Sequence, residues 1–218
     1  MKISSLCSTL IATSLLAACT VDSYEKGDGE LSLLTADLVE AHVDADKKVT
    51  LVETDQSERL TLTPAATAQW IETADTVYRA LLYYNKVEEG KADPVSLGWV
   101  GVLPPRDSIQ GGMKSDPIHV ESMWLAKNRK YLNLRLRLLT GNSDDDEARH
   151  SIGVVSDHAL SSANHARLYL YHDQGGVPEY YSSVSYASIP LADIAADTLT
   201  ITVNTYDGPV SRTFVCRP

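Results

Sequence analysis

The chain has 218 residues, 44% of them hydrophobic, and a formal net charge of −10. That apolar content supports one large folded domain or two small ones and excludes global disorder. The acidic balance excludes a generic nucleic-acid binder, because affinity for a phosphate backbone rests on lysine and arginine.

The first 18 residues carry a single charge, Lys2, followed by an apolar run over Leu10–Ala18. The run is too short to span a bilayer. It ends in Leu16-Ala17-Ala18-Cys19, which resembles the lipobox of bacterial lipoproteins. The resemblance implies a lipoprotein signal peptide over 1–18 and an acylated Cys19 as the new first residue. Each buried CH₂ of the acyl chains would contribute about 0.8 kcal/mol to membrane attachment. Thr20, where an aspartate would signal retention, implies the outer membrane. Residues 19–30 read as a polar tether containing Gly27 and Gly29. Asp22, Glu25, Asp28 and Glu30 weakly resemble an acidic surface-export signal.

Three cysteines occur. Cys7 leaves with the leader and Cys19 carries lipid, so Cys216 has no disulfide partner. It ends the apparent strand Thr213–Cys216, where a small buried hydrophobe is expected. No activating base accompanies it.

The next stretch, 31–106, reads as five short strands with turns between them. Leu31–Val43 is the first, and Asp44–Lys47 a turn. Lys48–Glu53 and Arg59–Thr63 form a hairpin around Asp55-Gln56-Ser57. Ala65–Glu72 suits a short helix or a loop. Thr76–Val87 is apolar on both faces, as in a covered or closed sheet. Val95–Leu103 follows, with Gly98 and Gly101 as bends, and Pro104-Pro105 ends it. This spacing suits a small OB-like barrel. Ser108–Ser115 reads as a link between domains.

The remainder, 107–218, reads as a β-sandwich of about seven strands. His119–Trp124 and Tyr131–Leu139 make a hairpin across the polar bend Lys127–Lys130. Leu132, Leu134, Leu136 and Leu138 fall on one face, and Asn133, Arg135 and Arg137 on the other, a period of two that marks a half-buried strand. A one-residue slip would bury both arginines, so the register is firmly set. Arg149–Ser156 and Arg167–His172 come next. Asp173–Gly176 is a turn from which Glu179–Ile189 pairs back. Pro190–Ala196 suits a helical turn with no deep core. Thr198–Thr205 and Val210–Val215 close a last hairpin across Asp207-Gly208. The fold class is therefore all-β: a small OB-like barrel, then a β-sandwich.

Several stretches resemble the NigD-like family of Bacteroidetes lipoproteins. They are Asp116-Pro117-Ile118-His119-Val120-Glu121 with Trp124, and Tyr131–Leu136. His150–Val155, Leu168–His172, Pro178–Tyr181 and Ser188–Leu191 complete the set. The resemblance implies an OB-like N-terminal domain, a C-terminal sandwich and a role in bacteriocin immunity. It brings no catalytic or binding residues with it. Around Asp75 the family pattern departs, with Ala74 and Thr76 in place of its glycine and arginine.

Candidate chemistry is sparse. Asp144-Asp145-Asp146-Glu147 lacks the spaced carboxylates of a calcium loop and reads as a solvated run. No histidine pair among His42, His119, His150, His158, His165 and His172 has zinc-motif spacing. There is no nucleophile elbow and no phosphate loop. The expectation is a non-enzymatic protein with no cofactor and no metal. Eleven tyrosines stand against one phenylalanine. Tyr169, Tyr171, Tyr180 and Tyr181, in one expected hairpin with Tyr186, form the candidate binding surface, since a ring with a polar tip suits wet recognition. Tyr169 and Tyr171 oppose the leucine face and are expected outward or between domains. The partner expected is the membrane, through the lipid, together with a protein such as a bacteriocin, or alternatively a glycan; a structural envelope lipoprotein with no soluble ligand is the third reading. Cross-strand aromatic pairing is the plain structural alternative.

Overall fold

The computed structural model describes residues 34–217. The expected leader, the tether, Cys19 and the start of the first strand at Leu31 lie outside the described residues. The described chain is all strands and loops, fourteen strands among these residues: β1 (Leu34–Val43), β2 (Val49–Thr54), β3 (Arg59–Ala66), β4 (Thr76–Glu88), β5 (Lys91–Trp99), β6 (Gly101–Val102), β7 (Pro105–Arg106), β8 (His119–Leu125), β9 (Tyr131–Thr140), β10 (Ser151–Ser156), β11 (His165–Asp173), β12 (Tyr181–Pro190), β13 (Thr198–Thr205) and β14 (Gly208–Val215).

Strands β1 to β5 close into a barrel in the order β1-β2-β3-β5-β4. Alternation decides what each strand sends inward. Along β4, Ala80, Leu82 and Tyr84 join Val39, Ala41, Val52, Leu60 and Leu62 in the barrel core. Tyr84 donates its hydroxyl to Asp37 at 2.8 Å. Burial and that carboxylate push the phenol far above its ordinary value.

The other strands form a sandwich. One sheet runs β14-β13-β11-β10-β7, the other β6-β12-β9-β8. The four leucines of β9 lie in the core between them with Ile189, Leu168, Leu170, Leu199 and Ile201. Each such side chain contributes about 1.5–3 kcal/mol of burial.

The structure departs from the sequence reading at five places. β3 runs on through Ala65 and Ala66, and of the two alternatives offered for the segment after it the structure takes the loop. It is held by Trp70, whose Nε1 donates to the Leu97 carbonyl at 3.2 Å. The strand expected over Val95–Leu103 is split: β5 begins at Lys91 and ends at Trp99. Gly101–Val102 then pairs with β12, and Pro105–Arg106 with β10, one in each sheet of the sandwich. A proline at a sheet edge loses no ladder bond, so the Pro-Pro pair does not end the pairing. The sandwich thus takes up the chain at Gly101, ahead of the boundary expected after Arg106. Strands β11 and β12 do not pair; they lie in opposite sheets. β11 pairs with β10 and, in parallel, with β13, while β12 pairs with β9. Finally, Leu191, Ile194 and Ala196 are buried in the sandwich core, so the loop after β12 is a lid on that core, not a surface turn.

Candidate functional site

The polar bend between β8 and β9 docks onto the barrel. Asn128 donates its backbone N–H to the Asp55 carbonyl at 2.9 Å and its side chain to the Thr54 carbonyl at 3.3 Å. Lys130 reaches Glu40 at 2.6 Å and Glu53 at 2.7 Å. Tyr131 donates to Glu40 at 2.9 Å. Burial and the Glu40 carboxylate push the Tyr131 phenol up to about 12. The hydrogen bond from Lys130 holds Glu53 below its ordinary value.

Beneath this bend lies a buried polar knot. Arg79 points outward from β4 yet is covered, because the sandwich lies over that face of the barrel. One of its nitrogens, Nη2, donates to both oxygens of Asp55 at 2.7 and 2.8 Å and to Asn133 at 3.1 Å. Its Nε donates to Ser188 at 3.1 Å. Asn133 donates to Asp55 at 2.7 Å, and Ser188 donates to Asn133 at 2.8 Å. The guanidinium sits 4.3 Å from the centre of the Tyr131 ring. Its Nη1 has no hydrogen-bond partner; the Asp55 carboxylate offsets the charge, and the Tyr131 ring face adds to that.

From this knot the two faces diverge. In the β9–β12 register Ser188 stands opposite Asn133, Tyr186 opposite Arg135, and Val184 opposite Arg137. Burial falls along that series: Asn133 and Ser188 are fully covered, Tyr186 is half-buried, and Val184 is exposed. On the barrel side the matching row is Arg79, Leu81 and Tyr83, the outward residues of β4. The result is a wedge-shaped cleft of two adjoining hollows, about 400 and 380 Å³, that share Leu81, Tyr83, Arg135 and Tyr186. Trp99 stands in one and Trp124 with Asp55 in the other. Trp99 is 63% exposed, an unusual state for the largest apolar side chain. Arg135 lies 5.8 Å from the centre of the Tyr186 ring. Glu121 anchors it at 2.9 Å and also binds Arg137. Those contacts, led by the Arg137 hydrogen bond, hold Glu121 below the usual carboxylate range.

A hollow of about 500 Å³ opens on the other side of the junction, near Cys216, Arg129, Lys130 and Arg217. Its cations are already engaged: Arg129 on the Val215 carbonyl, Lys130 on Glu40 and Glu53, Arg217 on the carbonyls of Ile194 and Ala195. Cys216 is buried, and burial pushes its thiol up.

The four candidate tyrosines do not share a surface. Tyr169 is 36% exposed on one sheet, while Tyr180 and Tyr181 are well exposed at the start of β12 in the other. Tyr171 is buried, beside Gly153 and Ile109, because the segment after β6 covers that face of β11. Tyr186 alone of the cluster lines the cleft. Cys19 lies outside the described residues. The acidic run folds as a local turn, Glu147 donating its N–H to the Asp145 carboxylate at 2.9 Å. Among the described residues no three His, Cys, Asp or Glu side chains gather as a metal site would require.

The cleft residues come from six strands and the β2–β3 turn, and sequence spacing does not bring them together. Two signals were available: an arginine inside the apolar strand Thr76–Val87, which demands a buried partner, and tryptophans at strand positions with no core to enter.

A family model described as the NigD-like C-terminal beta sandwich domain matches residues 101–216. Among solved structures, a NigD-like immunity protein from Bacteroides caccae is 25% identical with a TM-score of 0.64, covering 83% of this chain and 96% of that one. A protein assigned as toxin-related from Parabacteroides distasonis shares 14% identity at a TM-score of 0.64, with 83% and 92% covered. A protein assigned as a lipoprotein from Bacteroides fragilis shares 14% at 0.58, with 83% and 96% covered. At that identity the last two show the fold alone. Comparison with curated proteins gave no match. The chain belongs to the NigD-like family.

Proposed function

We propose that this chain is a non-enzymatic lipoprotein, held at the outer membrane through an acylated Cys19, that captures a protein partner in the cleft between barrel and sandwich. The partner in this reading is a bacteriocin, and capture confers immunity. The likeness to the Bacteroides caccae immunity protein carries the reading, since it extends over both β modules and nearly the whole of that chain. The cleft supports it. Exposed aromatic side chains beside an anchored arginine are the composition that protein interfaces favour. Tethering would raise the local concentration at the envelope, so a modest contact suffices.

The test is a deletion in the encoding strain, challenged with the bacteriocins of sibling strains. Greater sensitivity to at least one toxin, restored by the gene, is the expected result. Unchanged killing by all of them would remove the immunity reading. A second reading, a glycan stacked on Trp99 and Tyr186, is favoured by the 63% exposure of Trp99; a glycan array on the wild-type chain and a Trp99→Ala variant separates the two.

A further inference from the structure

At the far end of the sandwich two histidines meet edge to edge. Nδ1 of His150 lies 3.0 Å from Nε2 of His172. The rings are tilted by only 14°, with centroids 5.3 Å apart. That separation and near-coplanarity put the two nitrogens on the line between the rings, each lone pair aimed at the other. The outer nitrogens are both committed. Nε2 of His150 is 3.0 Å from the Leu139 carbonyl, and Nδ1 of His172 is 3.0 Å from the Asp116 carbonyl. A carbonyl only accepts, so each outer nitrogen must carry a hydrogen.

A neutral imidazole has one N–H. With both outer nitrogens protonated, two neutral rings would leave two bare lone pairs facing at 3.0 Å, which is repulsive. Two protonated rings would leave two N–H groups facing, which is worse. One added proton converts the contact into an N–H···N hydrogen bond of ordinary length. A zinc ion on that line would need about 4 Å between nitrogens, from two bonds of roughly 2.0–2.1 Å. We infer that His150 and His172 bind one proton between them and act as a single-charge clasp joining the two sheets of the sandwich. His172 belongs to β11 and His150 leads into β10, in one sheet. Asp116 runs alongside them in that same sheet, its N–H on the His172 carbonyl at 3.0 Å, whereas Leu139 belongs to β9 in the other, so the His150–Leu139 bond is the contact that crosses.

The surroundings suit one charge and oppose a second. Glu179, ahead of β12, favours charge on His150, while burial and then the charge of His172 disfavour it. Tyr206, from the β13–β14 turn, contacts Glu179 at 3.4 Å, and His119 of β8 stacks on Tyr206 at 4.6 Å. The Asp116 carboxylate is turned onto the Gln174 N–H at 2.7 Å. Asp173, next to His172, is paired with Lys114 at 2.6 Å. Arg149, next to His150, pairs outward with Glu147 at 3.7 Å. Burial and the existing positive charge resist the second proton. Burial first, and then the charge of His172, hold the His150 ring below its ordinary value. The clasp is closed while the shared proton is present and loosens when it leaves.

The test is a long-range ¹H–¹⁵N spectrum of the full chain, ¹⁵N-labelled on histidine, at about pH 6, near the ordinary imidazole midpoint. His150→Gln and His172→Gln identify the resonances, while the measurement itself uses the wild-type chain and does not depend on how a variant folds. The expected result is one downfield, slowly exchanging proton correlated with both inner nitrogens, with both outer nitrogens in the N–H state. Loss of that proton on raising the pH completes it. Two bare inner nitrogens, or each carrying its own proton, would overturn the inference.

Discussion

Arg79 and Asp55, both from the barrel, meet at its seam with the sandwich: one nitrogen of the arginine donates to both oxygens of a carboxylate supplied by the β2–β3 turn, at 2.7 and 2.8 Å. The arginine side chain is 1% exposed and the aspartate 13%. A buried pair of this kind is weak evidence of net stabilisation, but removing one partner leaves a charge in the interior. Through Asn133 and Ser188 the same pair ties barrel to sandwich and fixes the apex of the cleft.

Arg79→Ala is expected to cost about 3–5 kcal/mol, the range for breaking a buried ion pair. Asp55→Ala should cost a similar amount, and the double variant much less than the sum, because the second change removes a group already orphaned. Denaturant unfolding of the four proteins measures this. Additive losses would mean the two groups are not coupled.

The alkaline limb of stability should bear the mark of Tyr131. Its phenol is pushed up to about 12 by burial and by Glu40, against roughly 10 in an unfolded chain. The unfolded state therefore releases its proton first. The contribution is intact below about pH 10 and is lost as pH rises toward 12, an effect on the order of 2 kcal/mol. Tyr84 adds to it in the same direction. Unfolding curves between pH 9 and 12 should fall less steeply for Tyr131→Phe than for the wild type.

How much of this was legible in the sequence differs by element. The leucines of β9 declared their face through a period of two, and all four are buried. The barrel strands were legible because each turn carries its own local chemistry: Asp44 accepts the backbone N–H groups of Asp46 and Lys48. Asn133 was not legible. It stands on the polar face of β9 and is nonetheless fully buried, because the barrel covers it, and a strand's own alternation carries no information about what lies above its outer face. The pairing of β11 failed for a related reason. A tight turn at Gly175-Gly176 suggests a hairpin, but the chain crosses there to the opposite sheet. Two-residue edge strands such as β6 and β7 leave no periodic signal at all.

Gly175 has φ +60, and a Cβ there would overlap the Arg149 carbonyl. Gly175→Ala should destabilise by more than about 2 kcal/mol, from left-handed strain together with overpacking. Thermal unfolding of this variant beside Gly208→Ala separates the two terms: Gly208 also has a left-handed φ, +103, but open space around it. Equal losses would remove the overlap as a cause.

Cys216 should be inert in the folded chain. It is buried and its thiol is pushed up by that burial, so little thiolate is available. A thiol reagent added to native protein is expected to leave Cys216 unlabelled over the time in which unfolded protein labels completely. Equal rates would contradict the packing described for the end of the sandwich.

Complementation of the deletion strain tests the capture cleft most directly. Two variants are compared with the wild-type gene under bacteriocin challenge: Trp99→Ala with Tyr186→Ala, which strips the cleft, and Tyr180→Ala with Tyr181→Ala, which strips an exposed surface elsewhere. Equal amounts at the envelope are confirmed first. Protection lost with the cleft variant and kept with the other is the predicted result; protection kept with the cleft variant would contradict it.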